Sequence, residues 1–516
     1  MKNNPLVLTL DFGTQSVRTA LINKSGEIVY LSKKAYEPVS FALKTGYAEQ
    51  FADFYWDNLV ECLKKLSKEC VENFDDIVGM TVTTFRDSAV LLDENNKPLR
   101  PVILWMDQRL AEAREKIPAF HRFLFKLVGM KDTVDMNRTR TMAHWIKENE
   151  PEVWAKTKKY VNISTYINYR LTGELADSPG GLTGHYPLNY KKSEWYKEGA
   201  MKGRIFGIPS RMLPRVVKPG EVIGCLSDEI AKECGLPRGL KLISTGSDKG
   251  CETIGLGCLT PDIGALSYGT ACTIEVSNTK YHEPEPFLPA YAAAVPGLYN
   301  LDVQIYRGYW MLRWFANEFA SELEKEAREN EKPIEAILDQ WINDVDVGSD
   351  GLILQPYWGP GLARPLAKGA MIGYSSVHTR KHIYRAIVEG IAFALREGLE
   401  SIQKAQKQKV KKLRISGGGS LSDEICQITA DIFGLEIARV QTIESTSLGA
   451  AIATFTAVGE FKNVTEAVEN MTNISTVFTP NMENHKRYDQ IYKEIYLKIY
   501  PRLNPLNKAV NKLFKR

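Results

Sequence analysis

The sequence carries the same short device twice, once near its start and once just past its middle. Leu6 to Leu10 is an apolar run that predicts a strand, Asp11-Phe-Gly-Thr-Gln-Ser16 a tight polar turn, Val17 to Ile22 a second strand, and Lys24-Ser-Gly26 the turn into a third. Ile263 to Val276 repeats the plan, with Tyr268-Gly269-Thr270 in the place of Phe12-Gly13-Thr14. A glycine in such a turn lets backbone approach a ligand, threonine adds a hydroxyl, and successive N–H groups can form an anion nest. Two facing hairpins of this kind could clasp a polyphosphate from both sides. Asp11, at the strand end, is a hard oxygen ligand suited to a hydrated Mg²⁺. Taken singly, either stretch also reads as a plain hairpin turn; the repetition argues for more.

At 516 residues the chain exceeds what one hydrophobic core supports, so two large domains, or more, are expected. The formal charge of +4 is too small for this length to imply a nucleic-acid or membrane partner. Leu6 to Leu10 is too short for a signal peptide and ends on an acid, and no run approaches the ~18 apolar residues needed to span a bilayer. The eight cysteines show no Cys-x-x-Cys pair, which predicts reduced thiols in a cytoplasmic protein. The basic run from Lys404 to Lys412 and the basic tail (Lys508, Lys512, Lys515, Arg516) read as solvated helix ends, since neither is interleaved with aromatic residues.

Between and after the hairpins, glycine-bounded strands lead into helices. Leu240 to Ile243 is a short interior strand, and Ser247 or Asp248 can cap the helix that follows. Helix N-termini favour an ionised acid, so Asp248 is either a cap or an acceptor of an alcohol's proton. Arg86-Asp87, after the strand Ile77 to Thr83, suits a polyhydroxyl ligand or is a surface ion pair. Further helices are expected over Gln50 to Cys70, from Asp107-Gln-Arg109 onward, over His144 to Trp154 ended by Pro151, and over Tyr309 to Arg328, Pro333 to Asn343 and Thr379 to Gln408. Leu171 to Gly184 reads as a polar glycine-rich loop. Ile415 to Asp431 repeats the strand, glycine turn and helix order, and Gly417 to Gly419 would let a flat base or phosphate lie on bare backbone.

Taken in order, these pieces resemble the FGGY carbohydrate kinases, within the superfamily of actin, sugar kinases and heat-shock ATPases. The resemblance runs over nearly the whole chain, through Asp-Phe-Gly-Thr-Gln-Ser-Val-Arg18, the block ending Trp-Met-Asp-Gln-Arg109, Gly-Ser-Asp248, Tyr-Gly-Thr270, Ser-Gly-Gly-Gly419 and Ser-Leu-Gly-Ala-Ala451. It implies an α/β fold of two ribonuclease H-like domains, residues 1–254 and 255–516, with a cleft between them. It also implies ATP with Mg²⁺ as donor and a small sugar or polyol as acceptor, with a ketose or sugar alcohol as the expected kind. By position Asp248 matches the general base and Asp11 the metal-associated acid. Gly13 and Thr14, with Gln15 and Arg18 of the same motif, match the first phosphate loop; Gly269 and Thr270 match the second, and Gly417 and Gly418 the adenosine site. Arg86, Asp87, Asn137, Asp248 and Lys249 fall where acceptor contacts lie.

The departures concentrate where selectivity is set. Arg86-Asp87 replaces the Met-His of xylulokinases and is closer to the Arg-Glu of glycerol kinases. Lys249 stands where glycerol kinases have Gln, Thr273 where they have an aromatic residue, and Asn137 near their acceptor-contacting Tyr. Simple glycerol is disfavoured, no particular ketose is selected, and a glycerol kinase-like polyol kinase stays open. Lys249 would either touch the acceptor or keep Asp248 ionised. An actin-like ATPase or sensor shares the hairpins but not the Arg86-Asp87 and Asp107-Gln-Arg109 blocks, and a dead scaffold is disfavoured by Asp11 and Asp248. A homodimer is compatible with the resemblance, and the residues do not decide it.

Overall fold

Both hairpins start a sheet. In the computed structural model, which describes residues 4–514 except 287, 360, 362, 363 and 365, β1 (Leu6–Phe12) pairs antiparallel with β2 (Ser16–Asn23), and β2 with β3 (Ile28–Ala35). β4 (Ile77–Thr84) lies parallel on the other flank of β1, and β5 (Val222–Cys225) and β6 (Lys241–Ile243) extend that side. The order is β5-β6-β4-β1-β2-β3. The second sheet holds β7 (Ile263–Tyr268), β8 (Cys272–Asn278), β9 (Tyr291–Ala292), β10 (Tyr299–Ile305), β11 (Lys412–Ser416), β12 (Ile437–Val440) and β13 (Ile474–Phe478). Its order, β9-β10-β8-β7-β11-β12-β13, repeats the first plan: a founding strand, its own hairpin partner on one side, and later parallel strands on the other. A hairpin partner needs only a tight turn, whereas a parallel partner needs a crossover through helices.

Helix spacing places the cores. α1 (Ala52–Glu69) buries Tyr55, Trp56, Leu59, Leu63 and Leu66 against the first sheet. α3 (Arg380–Gln406) and α4 (Asp423–Phe433) cover the second. Between the two lies a third cluster in which α2 (Asp248–Gly255) crosses α5 (Ser445–Ala457) and both meet Val7, Ala20 and Ile22 of the first sheet. The crossing requires glycine: a Cβ on Gly449 would stand 1.8 Å from the Cys251 carbonyl oxygen, and one on Gly255 1.9 Å from that of Ser445. A helix of the C-terminal half is thereby fastened to the N-terminal sheet.

Several local expectations change. No helix starts at Asp107-Gln-Arg109; the next begins at Ala119. Asp107 instead folds back on Arg109 in a bidentate pair, 2.8 Å on each arm, and accepts 2.6 Å from the Ala48 N–H. Arg109 is buried against Tyr47 and Trp145. Pro151 opens a second helix (Pro151–Lys156) rather than only ending Met142–Asn149, because proline at the first helical position sacrifices no hydrogen bond. The Tyr309 to Arg328 stretch breaks into Trp310–Phe319 and Leu323–Glu329. Residues 171–184 start as the end of helix Ile163–Thr172 and then form a loop that is buried, not solvated, from 176 to 183. The basic tail forms helix Leu497–Phe514; Lys515 and Arg516 lie outside the described residues.

Candidate active site

Strand C-terminal ends from both sheets open onto one cleft of about 1200 Å³, as expected where strand order reverses in an open α/β sheet. Every one of Asp11, Gly13, Thr14, Gln15, Arg18, Arg86, Asp87, Asn137, Asp248, Lys249, Gly269, Thr270, Gly417 and Gly418 lines it. The first turn is closed by Gly13 N–H donating 3.0 Å to the Ser16 carbonyl, and the Thr14 hydroxyl accepts 3.2 Å from the Trp105 indole. In the second turn the Gly269 and Thr270 carbonyls accept from the N–H groups of Tyr309 and Trp310, 3.1 and 3.4 Å. Those bonds fix each turn's backbone while leaving it facing the cleft.

Of the glycine triplet, only Gly418 meets open space. Gly417 has φ +88°, and a Cβ there would stand 2.7 Å from Tyr268 backbone; one on Gly419 would stand 2.4 Å from the Tyr309 ring. Gly417 and Gly419 are therefore demanded by packing, and Gly418 presents bare backbone to the cleft.

The floor between the turns is acidic. Asp11 is buried, and burial pushes its carboxyl up to about 7, with Glu444, Asp248 and Glu252 adding to the rise and Arg18 opposing it. Arg18 spans the two halves, 2.8 Å from Glu444 at the start of α5 and 3.4 Å from Asp11. The donor set suits a hard cation held by one or two carboxylates and shared with phosphate oxygens. Among the described residues no group of three or more His, Cys, Asp or Glu side chains forms a cage that would hold an ion alone.

Ser247, not Asp248, caps α2, accepting from the Gly250 N–H at 3.5 Å, which leaves Asp248 in the first turn on the cleft wall. Its Oδ1 accepts 2.8 Å from the Lys249 N–H. Burial raises the Asp248 carboxyl above the ordinary carboxylate value, although Lys249 and Arg86 pull it down. The helix N-terminus was expected to favour the charged form; desolvation outweighs it.

Arg86 is not free for a ligand on all sides. Its Nε donates 3.0 Å to Ser247 Oγ, Nη2 donates 3.1 Å to Glu275, and Nη1 donates to Asp302. Glu275 and Asp302 stand directly opposite each other on β8 and β10, a like-charge pairing that is unfavourable unless a cation bridges it. The cation comes from the other sheet's strand end. Burial and the Asp302 charge together raise the Glu275 carboxyl.

Asp87 sits at φ +54° and receives both the backbone N–H of His185 at 2.9 Å and its Nδ1 at 2.6 Å. Burial raises the Asp87 carboxyl, but the His185 charge and hydrogen bonds outweigh it and hold it below its ordinary value. Asn137 borders the same half of the cleft from helix Lys131–Arg140, its amide donating 3.0 Å to the Thr133 carbonyl. Lys249 turns towards the second sheet: its Nζ lies 2.8 Å from Glu252 and 2.5 Å from Ser267 Oγ. Sequence reasoning missed His185, Glu252, Glu275, Asp302 and Glu444. Only the topology brings His185, Glu252 and Glu444 to the cleft and Glu275 and Asp302 to Arg86, and no spacing pattern marks them.

Two glycine-threonine turns facing a carboxylate at a helix start, across a cleft between two repeated α/β sheets, define a two-domain phosphotransferase. Residues 6–255 match the FGGY family of carbohydrate kinases, N-terminal domain, and residues 264–458 its C-terminal domain. The chain belongs to the FGGY family of carbohydrate kinases, and it is an ATP-dependent kinase of a small sugar or polyol. It is 29% identical over 496 residues to a xylulose kinase of Lactococcus lactis subsp. lactis, covering 94% of this chain and 95% of that protein. It is 27% identical over 509 residues to a glycerol kinase of Nitratidesulfovibrio vulgaris, covering 94% and 96%. The fold is shared with a xylulose kinase of Lactobacillus acidophilus (TM-score 0.80, 23% identity, 97% and 98% covered). A gluconate kinase of that organism is as similar (TM-score 0.79, 24% identity, 97% and 98% covered). No helix among the described residues is long and apolar enough to cross a membrane.

Proposed function

We propose that the acceptor is an uncharged ketose or sugar alcohol, held in the half of the cleft bounded by Arg86, Asp87, His185 and Asn137, and that Asp248 removes the proton from the hydroxyl that is phosphorylated. The observation that carries this is the position of Asp248: in the first turn of α2 it lines the same cleft as Arg86, Asp87 and both Gly-Thr turns, near enough to Arg86 and Asp11 for their charges to act on one another. Arg86 is already committed to Ser247, Glu275 and Asp302 and so is not free to pair with an anionic sugar acid, and the acids Asp87 and Asp248 that line this half favour hydroxyl donors.

Asp248 Oδ accepts the hydroxyl proton as the acceptor oxygen bonds to the γ-phosphorus, and the bond to the bridging oxygen of ADP breaks with its electron pair leaving on ADP. A carboxylate whose affinity for protons is raised by burial is better matched to that task near neutral pH than an ordinary one. The Gly13-Thr14 and Gly269-Thr270 turns orient the polyphosphate by N–H and O–H donation, with Gln15 and Arg18 beside the first. Gly418, bare towards the cleft, leaves room for the adenosine, and Gly417 packs beside it. Asp11, with its acidic surroundings, would hold magnesium, which supplies positive charge to the phosphate oxygens when bound with the nucleotide. The proposed boundary between the two domains, 254/255, falls at the last residue of α2, ahead of β7. A cytoplasmic setting agrees with the eight free cysteines.

A panel of ketoses, alditols, glycerol and aldonates in a coupled ADP-release assay tests the reading. ADP release stimulated by a ketose or alditol and not by an aldonate is expected. Release stimulated by aldonates alone, or by no acceptor, would overturn it.

A further inference from the structure

Lys249 follows the base directly and its charge lowers the Asp248 carboxyl, but its side chain is bonded elsewhere. The ammonium reaches across to the second sheet, bonded to Glu252 at 2.8 Å and to Ser267 Oγ at 2.5 Å. Ser267 is the last-but-one residue of β7, immediately before the turn Gly269-Thr270. A Cβ built on Gly269 would lie 3.9 Å from Lys249 Nζ, so the ammonium stands beside that turn and not over the Asp87–His185 half of the cleft. We propose that Lys249 is a further catalytic residue of this kinase, its ammonium contacting the oxygens of the transferring phosphoryl group beside the Gly269-Thr270 turn. This rests on the kinase reading above.

The charge balance of the site supports the role. Asp11, Asp248, Glu252 and Glu444 crowd the floor onto which a polyanionic nucleotide must settle, and Arg18 is held between two of them. Lys249 is a cation that both borders the cleft and neighbours the second turn. Burial alone would lower its proton affinity, but Glu252 and Asp248 outweigh burial and keep the ammonium charged. It donates hydrogen bonds and charge and transfers no proton. Glu252 and Ser267 hold it by hydrogen bonds, Ser267 standing two residues before Gly269. A charged donor aimed at developing negative charge in a dry site is worth about 10²–10³ in turnover.

The test separates a phosphoryl contact from a structural ion pair. Wild type, Lys249→Met, Lys249→Arg and the double variant Lys249→Met/Glu252→Gln are compared by calorimetry for ADP alone and for ADP with magnesium and aluminium fluoride, a mimic of the phosphoryl group in flight. Lys249→Met is expected to lose about 10²-fold in affinity for the mimic with ADP affinity within about threefold, Lys249→Arg to lose less, and the double variant to stay weak. Because the double variant leaves no unpaired Glu252, recovery of mimic binding there would show that the lysine only neutralises that acid and would overturn the proposal. Equal loss for both ligands, or for neither, would overturn it as well. None of these readings needs an acceptor, so failure of wild type to phosphorylate any sugar would sink the kinase reading separately.

Discussion

Replacing Arg86 by Met tests how the two halves are joined at the acceptor site. Its side chain is 12% exposed and carries three hydrogen bonds, to Ser247, Glu275 and Asp302. Without the guanidinium, two buried carboxylates directly opposite on β8 and β10 are left facing each other. Removing one partner of a buried ion pair costs about 3–5 kcal/mol. The cost depends on pH in a definite sense. Burial and mutual repulsion already raise the Glu275 carboxyl, and losing Arg86 raises it further. The native variant then holds a proton that the unfolded chain releases, so its stability falls as pH rises from the ordinary carboxylate range through the raised value. Urea unfolding at pH 5.5 and pH 8 should show a deficit of about 3–5 kcal/mol at the higher pH and clearly less at the lower one. Asp302→Asn in the same chain should restore much of the loss. A deficit below about 1 kcal/mol, or one that does not change with pH, would refute the bridge.

Three further outcomes follow from local geometry. His185→Gln removes the imidazole partner of Asp87 and should raise the acceptor KM about tenfold with ATP KM unchanged, as expected for lost ground-state positioning; an equal effect on both substrates would place the pair outside the acceptor site. Gly418→Ala, which meets no atom within 4 Å, should keep the fold and weaken nucleotide binding. Gly417→Ala, at φ +88° and against Tyr268, should instead cost about 1–3 kcal/mol of stability, and the reverse pattern would misassign the triplet.

The repeated hairpins were legible because a strand, a glycine turn and a strand are local, and each founded a sheet as its pattern implies. Asp248 was legible for the same reason, standing just after a short apolar strand. The bidentate grip of Asp107 on Arg109 defeated the helix expected there, since a side-chain pair three residues wide competes with a helix start and leaves no mark in periodicity. Glu275 and Asp302 sit in strands that alternate polar and apolar residues, Thr273, Glu275 and Ser277 against Ile274 and Val276. That alternation predicts one wet face, and only the second sheet's position shows that the face meets Arg86. Lys249 illustrates the same limit: adjacency to the base suggested its effect on Asp248, which its charge does lower, but not that the side chain's length carries its ammonium to Ser267 before the other turn.

The central claim is that the Asp248 carboxylate is the proton acceptor, and Asp248→Asn tests it with little change of shape. Rapid-quench single-turnover phosphorylation of the best acceptor should fall by about 10²–10⁴-fold in the variant, with ADP affinity within about threefold of wild type. In the wild type the acid limb of kcat/KM should lie above the ordinary carboxylate range, because burial raises the carboxyl and protonation at low pH removes the base. Single-turnover rates for Asp248→Asn within a few-fold of wild type would contradict the assignment.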